Sequence, residues 1–185
     1  MSYANFDENT IIKGCLNDDI RSQKLLYEKY KSAMFTHCLR YASDRAEAED
    51  MLQEGFLVVF KELYQYDASR GAIGGWIRRI IINSALQIVR KKKIFFSEIT
   101  EDQNILMADE DAISQIGLKE LLGYIQQLPT GYRTVFNMYV IDGMAHNEIA
   151  ETLQISLSTS KTQLFKAKLM LQKMITTNEL VIAQF

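Results

Sequence analysis

A chain of 185 residues with a net charge of −2 holds one domain or two small ones, and a hydrophobic content of 48% is enough for a core. One proline and nine glycines suit an all-α protein, and no apolar run reaches the roughly 18–20 residues that cross a membrane. Mild overall acidity argues against a general nucleic-acid coat, and Met1 to Asp7 lack the basic and apolar regions of a signal peptide, so the cytoplasm is the expected location.

Asn17-Asp18 can cap a first long helix running to about Tyr41. Cys15 and Cys38 are expected to be reduced thiols. His37 precedes Cys38, but no second Cys/His cluster completes a zinc site, so no metal is expected. Ser43-Asp44 can cap a second helix, in which Leu52, Phe56, Val59, Phe60 and Leu63 recur at helical spacing and should be buried. Asp50, Gln53, Glu54 and Leu57 fall on its opposite face. A polar patch with an exposed leucine is either a protein-docking site or a solvated surface.

The polar stretch Tyr66-Asp67-Ala68-Ser69-Arg70-Gly71 breaks the helical pattern, and a third helix should run from about Ala72 to Lys92. Ile73, Ile77, Ile80, Ile81, Ser84 and Ile88 share one face of it. At about 100° per residue, Trp76, Arg79, Asn83, Gln87 and Arg90 form a separate stripe. Arginines and amides hydrogen-bond bases and phosphates, and aromatics stack on unpaired bases. The loop Gln65 to Gly71 can hold a base turned out of the stack, a step that costs a few kcal/mol. Taken alone, Trp76 reads slightly better as a half-buried core residue. The run Arg90-Lys91-Lys92-Lys93 either contacts phosphates or complements the helix dipole.

Charge is strongly segregated. Arg70, Arg78, Arg79, Arg90, Lys91, Lys92 and Lys93 occur with no acid between them, whereas Glu98, Glu101, Asp102, Asp109, Glu110 and Asp111 occur with no base. The stretch 94–111 reads as an acidic linker. A second domain should begin near Ala112, with helices over about 112–127, 131–141, 145–153 and 157–175. The last two, around Asp142-Gly143-Met144-Ala145-His146 and Ile155-Ser156-Leu157, read as a helix-turn-helix. Ser160, Leu164, Ala167, Leu171 and Met174 mark the buried line of its second helix. Ser158, Thr159 and Thr162 suit base edges, Lys161, Lys166 and Lys168 suit phosphates, and Gln163 suits either. A lysine face on an ordinary helical hairpin would look the same. With two histidines, no Gly-x-Ser-x-Gly and no phosphate-cradling loop, neither an enzyme nor a cofactor is expected.

The ordered set of motifs resembles the extracytoplasmic-function (group 4) sigma factors of bacterial RNA polymerase over roughly residues 20–175. Ala48-Glu49-Asp50-Met51-Leu52-Gln53-Glu54-Gly55-Phe56 resembles the family's A-E-D-x-x-Q-E-x-F. Tyr66-Asp67, Arg70-Gly71 and Trp76-Ile77-Arg78-Arg79-Ile80 match F-D, R-G and W-L-x-R-I, and Asn83 to Lys92 match the following basic segment. Leu128-Pro129 and the helix-turn-helix match the promoter −35-reading domain.

The resemblance implies an all-α protein of two small helical domains: residues 1–93 for polymerase binding and −10 recognition and melting, a linker over 94–111, and 112–185 for −35 recognition. Asp50, Gln53, Glu54 and Leu57 would meet the β′ clamp helices of the polymerase core. Tyr66, Asp67, Arg70, Trp76, Arg79, Asn83, Gln87, Arg90, Lys91 and Lys92 would engage the −10 element. His146, Ser158, Thr159, Lys161, Thr162, Gln163, Phe165, Lys166 and Lys168 would serve the −35 element, with this domain on the β flap. The linker would thread toward the RNA path, and an anti-sigma factor would be a partner, as for many members. Three departures stand out. Gln154 replaces the common turn glycine, so a slightly different turn is expected, because a non-glycine residue with φ > 0 is strained. Leu157-Ser158 replace the usual residues before the recognition helix, and Gln87 replaces an acid. The competing reading is a regulator that binds duplex DNA through the helix-turn-helix without acting as a sigma factor; a more distant one is a protein-interaction module.

Overall fold

The structure is a computed structural model that describes residues 7–91 and 118–182, with side chains over 7–91 and 120–176. The acidic linker 94–111, Lys92, Lys93 and the expected start of the second domain at 112–117 lie outside these residues. Every regular element among the described residues is helical. The chain divides into two compact units, residues 1–88 and 89–185.

The first unit contains α1 (Glu8–Leu16), α2 (Ile20–Tyr41), α3 (Arg45–Glu62) and α4 (Ile73–Lys91), with 3₁₀ turns at Leu63–Gln65 and Ala68–Arg70. Helix α1 is an addition to the sequence reading. It starts at Asp7, whose carboxylate accepts from the Thr10 N–H at 3.2 Å. The cap of α2 falls one residue beyond the expected pair: Asp19 accepts from the Arg21 and Ser22 amides. Asp18 takes a left-handed φ of 57° in the link between the helices, and Asp tolerates that region better than most residues. Asp44 caps α3 by accepting from the Glu47 N–H at 2.8 Å, and the Glu47 carboxylate returns the contact to the Ser43 amide. This reciprocal arrangement satisfies two donors that a helix start otherwise leaves orphaned.

Leu52, Phe56, Val59 and Leu63 are buried as their spacing requires, and Phe60 is half-buried. Phe56 packs edge-on against Tyr27 of α2 with ring centroids 4.8 Å apart. Helices α3 and α4 meet at Gly55, where a Cβ would lie 2.5 Å from Ile81 Cδ1 and 3.4 Å from Ile81 Cα. Ile73, Ile77, Ile80 and Ile81 are buried, as are Ala85, Leu86 and Val89 further along α4. Cys15 and Cys38 are buried thiols, and burial pushes their pKa values up to about 11 and about 12. A thiol held protonated in this way is a poor nucleophile and a poor metal ligand.

The second unit contains α5 (Leu118–Gln127), α6 (Thr130–Phe136), a π-helical turn (Asn137–Ile141), α7 (His146–Leu153) and α8 (Leu157–Ile182). Helices α5, α6 and α7 all pack on α8. The single helix expected over 131–141 therefore changes pitch at Asn137. Its side-chain Nδ2 donates to the Arg133 carbonyl at 2.9 Å, and a side chain competing for an i−4 carbonyl is a recognised cause of such a distortion. Arg133 is only 2% exposed. Its guanidinium donates to the carbonyls of Gln126 and Leu128 at 3.0 and 3.1 Å, and to Thr130 Oγ1 at 3.4 Å. One cation thus closes the end of α5 and the Pro129 turn, where helix carbonyls lack intrahelical partners.

Replacing Arg133 with methionine keeps the packed stem but abandons those carbonyls. Arg133→Met should lower the stability of the second unit by about 2–3 kcal/mol, read as an earlier urea unfolding midpoint, with the first unit's transition unmoved.

Candidate nucleic-acid interface

The loop between α3 and α4 is held in shape by its own side chains. Asp67 accepts from the Ser69 amide at 2.9 Å and from Ser69 Oγ at 2.7 Å. These hydrogen bonds, aided by Arg70, hold its carboxyl below the usual aspartate range, so it is ionised at neutral pH. Tyr66 Oη donates to the Gly71 carbonyl at 3.0 Å, closing the loop on itself. Gly71 adopts φ 139°, ψ 176°, a conformation almost restricted to glycine.

This loop and the first turns of α4 enclose a cleft of about 480 Å³, within the range of small-molecule sites. Tyr66 and Trp76 stand in one wall with ring centroids 5.8 Å apart and planes inclined by 58°. Arg70, Arg79, Asp67 and Gln65 supply its polar lining. The cleft therefore offers aromatic faces, donors and acceptors together, the set needed to stack on and hydrogen-bond a single unpaired base. Arg79 is exposed at the cleft, Asn83, Gln87, Arg90 and Lys91 are exposed along α4 beyond it, and Trp76 is half-buried. Gln65 lines the cleft as the expected loop Gln65 to Gly71 requires, and Ala72 and Gly75, which carry no polar side chain to signal a site, line it as well. Arg78 is also exposed beside Arg79.

On α3, Asp50, Gln53, Glu54 and Leu57 are all exposed, Leu57 at 63%. Next to them a groove of about 330 Å³ runs between α2 and α3, lined by Phe35, Leu52, Gln53 and Arg45 among others. Arg45 lies over the Phe35 ring at 5.1 Å and pairs with Glu49 at 2.9 Å.

The second unit forms the expected helix-turn-helix from α7 and α8. Gln154 takes the position left by the common glycine and adopts its left-handed conformation, φ 57°, ψ 44°. Thus the turn is preserved, with strain, where a different turn was expected. Ser156 caps α8: its Oγ accepts from the Thr159 N–H at 2.9 Å and shares hydrogen bonds with the Ser158 and Thr159 hydroxyls. Lys161, Thr162 and Phe165 are exposed, Phe165 at 40%, while Lys166 and Lys168 are half-buried. Gln163 departs from the sequence reading. It is 8% exposed and lies inside, because it falls three residues from Ser160 and four from Ala167, on the same inward line.

His146 opens α7 with its ring stacked on Tyr139 at 4.5 Å and its Nδ1 2.9 Å from Ser160 Oγ. Burial, and secondarily Lys161, push its pKa below the ordinary 6.5, so the ring is neutral at neutral pH. It thereby ties the start of α7 to the first turn of α8. No group of three or more candidate metal ligands occurs among the described residues, and no helix there is long and apolar enough to cross a membrane.

Residues 26–94 match Sigma-70 region 2, and residues 118–171 match Sigma-70, region 4. The chain is 30% identical over 159 residues to the ECF RNA polymerase sigma factor SigW of Bacillus subtilis, covering 79% of this chain and 84% of that protein. It is 28% identical over 149 residues to SigM of the same organism, covering 77% and 88%. Among solved structures, the sigma factor RpoE of Bartonella quintana, in complex with the anti-sigma factor NepR, aligns with a TM-score of 0.49 and 14% identity, covering 85% of this chain and 98% of that one.

Left-handed backbone costs an L-residue about 1–2 kcal/mol, and glycine escapes that cost while losing more entropy on folding. Gln154→Gly should therefore raise stability by roughly 0.5–1 kcal/mol, seen as a higher unfolding midpoint; a decrease would show that the Gln154 side chain contributes more than its backbone strain removes.

Proposed function

The chain belongs to the sigma-70 family, among the ECF RNA polymerase sigma factors, and from that premise we propose how its surfaces divide the work of opening a promoter. The protein is an alternative sigma factor: it joins core RNA polymerase and directs transcription initiation at its own promoters. It performs no chemistry itself, since synthesis belongs to the polymerase, and it works in the cytoplasm where that polymerase is.

Residues 1–93 form the polymerase-binding and −10 part. The exposed Asp50, Gln53, Glu54 and Leu57 dock on the β′ clamp helices, with the leucine as apolar anchor and the acids as orienting charges. The Tyr66–Trp76 cleft takes one flipped base of the −10 element, and Arg79, Asn83, Gln87, Arg90, Lys91 and Lys92 hold the strand that leads away from it. The linker 94–111 runs toward the RNA path as an anionic strand. Residues 112–185 sit on the β flap and read the −35 element through Ser158, Thr159, Lys161, Thr162, Phe165, Lys166 and Lys168 at the start of α8, with His146 bracing that end. The observation that carries this division is an aromatic-lined cleft roomy enough to admit a base and a helix-turn-helix in one chain. A regulator that binds only duplex DNA needs the second but not the first. Because the two basic surfaces are small and release few counterions, affinity for free DNA is low until polymerase holds the protein in place. An anti-sigma factor is the expected antagonist.

Run-off transcription on fragmented genomic DNA, with core polymerase from the same organism, tests this reading. Adding the protein should yield discrete new start sites that share two upstream motifs roughly one and a half to two helical turns apart; no new starts with a folded protein and active core would favour the duplex-binding regulator. The division of labour has its own check. Arg79→Ala and Asn83→Ala should impair bubble formation but not polymerase association, whereas Asp50→Ala with Glu54→Ala should weaken association about tenfold or more. The reverse pattern would overturn the assignment.

A further inference from the structure

The match to Sigma-70 region 2 begins at residue 26, so α1 lies outside it. Even so, α1 packs both on α2 and on the Leu63–Gln65 turn that leads into the cleft loop. At its first residue, Glu8 Oε1 accepts from Tyr30 Oη at 2.6 Å and from Lys29 Nζ at 2.6 Å. The ion pair with Lys29 is exposed and contributes little. The bond from Tyr30 is part-buried, short and accepted by a charged oxygen, which is the stronger class. Burial, the Glu8 carboxylate and the nearby Tyr66 all push the Tyr30 phenol above its ordinary range, so it remains a donor.

The ring of Tyr30 rests against the first turn of α4. A Cβ on Gly74 would lie 3.0 Å from Tyr30 Cε1 and 3.6 Å from its Oη. Gly75 and Trp76, the next two residues, line the cleft, and so does Tyr66; Tyr30 itself does not. Tyr30 is thus placed behind the cleft, between α1 and the turn that carries Trp76.

We infer that Glu8 and Tyr30 are positioning residues for the base-capture cleft: the hydrogen bond from Tyr30 to Glu8 fixes the ring against which the Trp76 turn is seated. Helix α1 then belongs to the −10 machinery without touching DNA. The inference rests on the cleft's role proposed above.

Trp76 is the sole tryptophan in the sequence, so its emission reports directly on the cleft. Full-length Tyr30→Phe keeps the packing ring and removes only the hydroxyl. Glu8→Ala removes the acceptor, and Glu8→Gln restores a carbonyl in its place. Each would be measured as the free chain for thermal unfolding and acrylamide quenching of Trp76, and, assembled with core polymerase and compared with core alone, for anisotropy of a labelled random-sequence pool of short single-stranded DNA. Folded Tyr30→Phe and Glu8→Ala should show greater quenching and roughly three- to tenfold weaker binding to the pool, as expected for one lost hydrogen bond, and Glu8→Gln should recover most of both. Unchanged quenching and affinity in Tyr30→Phe, or Glu8→Gln behaving as Glu8→Ala does, would overturn the inference. Arg79→Ala serves as the separate control. If it leaves single-stranded binding intact, the cleft's own role fails, while the response of Trp76 to Tyr30→Phe still decides whether the pair positions it.

Discussion

Seating the aliphatic face of α4 on Gly55 of α3 is the constraint on which the first unit depends. Ile81 approaches the α3 backbone so closely at that point that no side chain fits between them. A helix turns about 100° per residue. Once Ile73, Ile77, Ile80 and Ile81 are committed inward, the direction of every other α4 side chain is set. Arg79, Asn83, Gln87 and Arg90 are turned outward by the same packing, with Trp76 at the margin between core and solvent. On α3 the logic repeats: burial of Leu52, Phe56 and Val59 leaves Asp50, Gln53, Glu54 and Leu57 facing out. Core and interface are two consequences of one rotational phase.

The cleft adds something that packing alone does not supply. Its loop has few apolar residues, so its shape rests on local hydrogen bonds: Asp67 to Ser69 and Tyr66 to the Gly71 carbonyl. These leave Tyr66, Trp76, Arg70 and Arg79 arranged around a space that is already formed without a ligand. For the base capture proposed above, such a preformed receptacle offsets part of the unstacking cost, because little further ordering is needed on binding.

The second unit adds directional polar contacts to an apolar core that includes Ile125, Leu128, Phe136, Ile149, Leu164 and Leu171. Arg133 closes the α5–α6 turn through carbonyls, and His146 links α7 to α8 through Ser160. Such contacts are directional, so they fix the angle between helices more tightly than apolar contacts of the same extent. For a helix-turn-helix that angle decides which residues of α8 reach a groove.

Periodicity alone conveys the helical class, most of the inward stripes of α3, α4 and α8, and the stripe Trp76–Arg90, because it needs no knowledge of distant residues; toward the ends of α4 and α8 the buried line falls on Ala85, Leu86, Val89 and Ile175, while the expected Ser84, Ile88 and Met174 are half-buried. The helix-turn-helix was legible for the same reason, and family motifs supplied its role. Tertiary structure decided the rest. Helix α1 spans only nine residues, a length at which a helix is marginal without tertiary support, and it is secured by packing on α2 and the Leu63–Gln65 turn. Gln163 looks like a surface residue until the line from Ser160 to Ala167 turns it inward. Gln154 keeps a glycine's conformation because α7 and α8 impose the turn. The meeting of Glu8, Tyr30 and Gly74 joins residues far apart in the chain, and no local pattern records such a contact, since it exists only once three helices have converged.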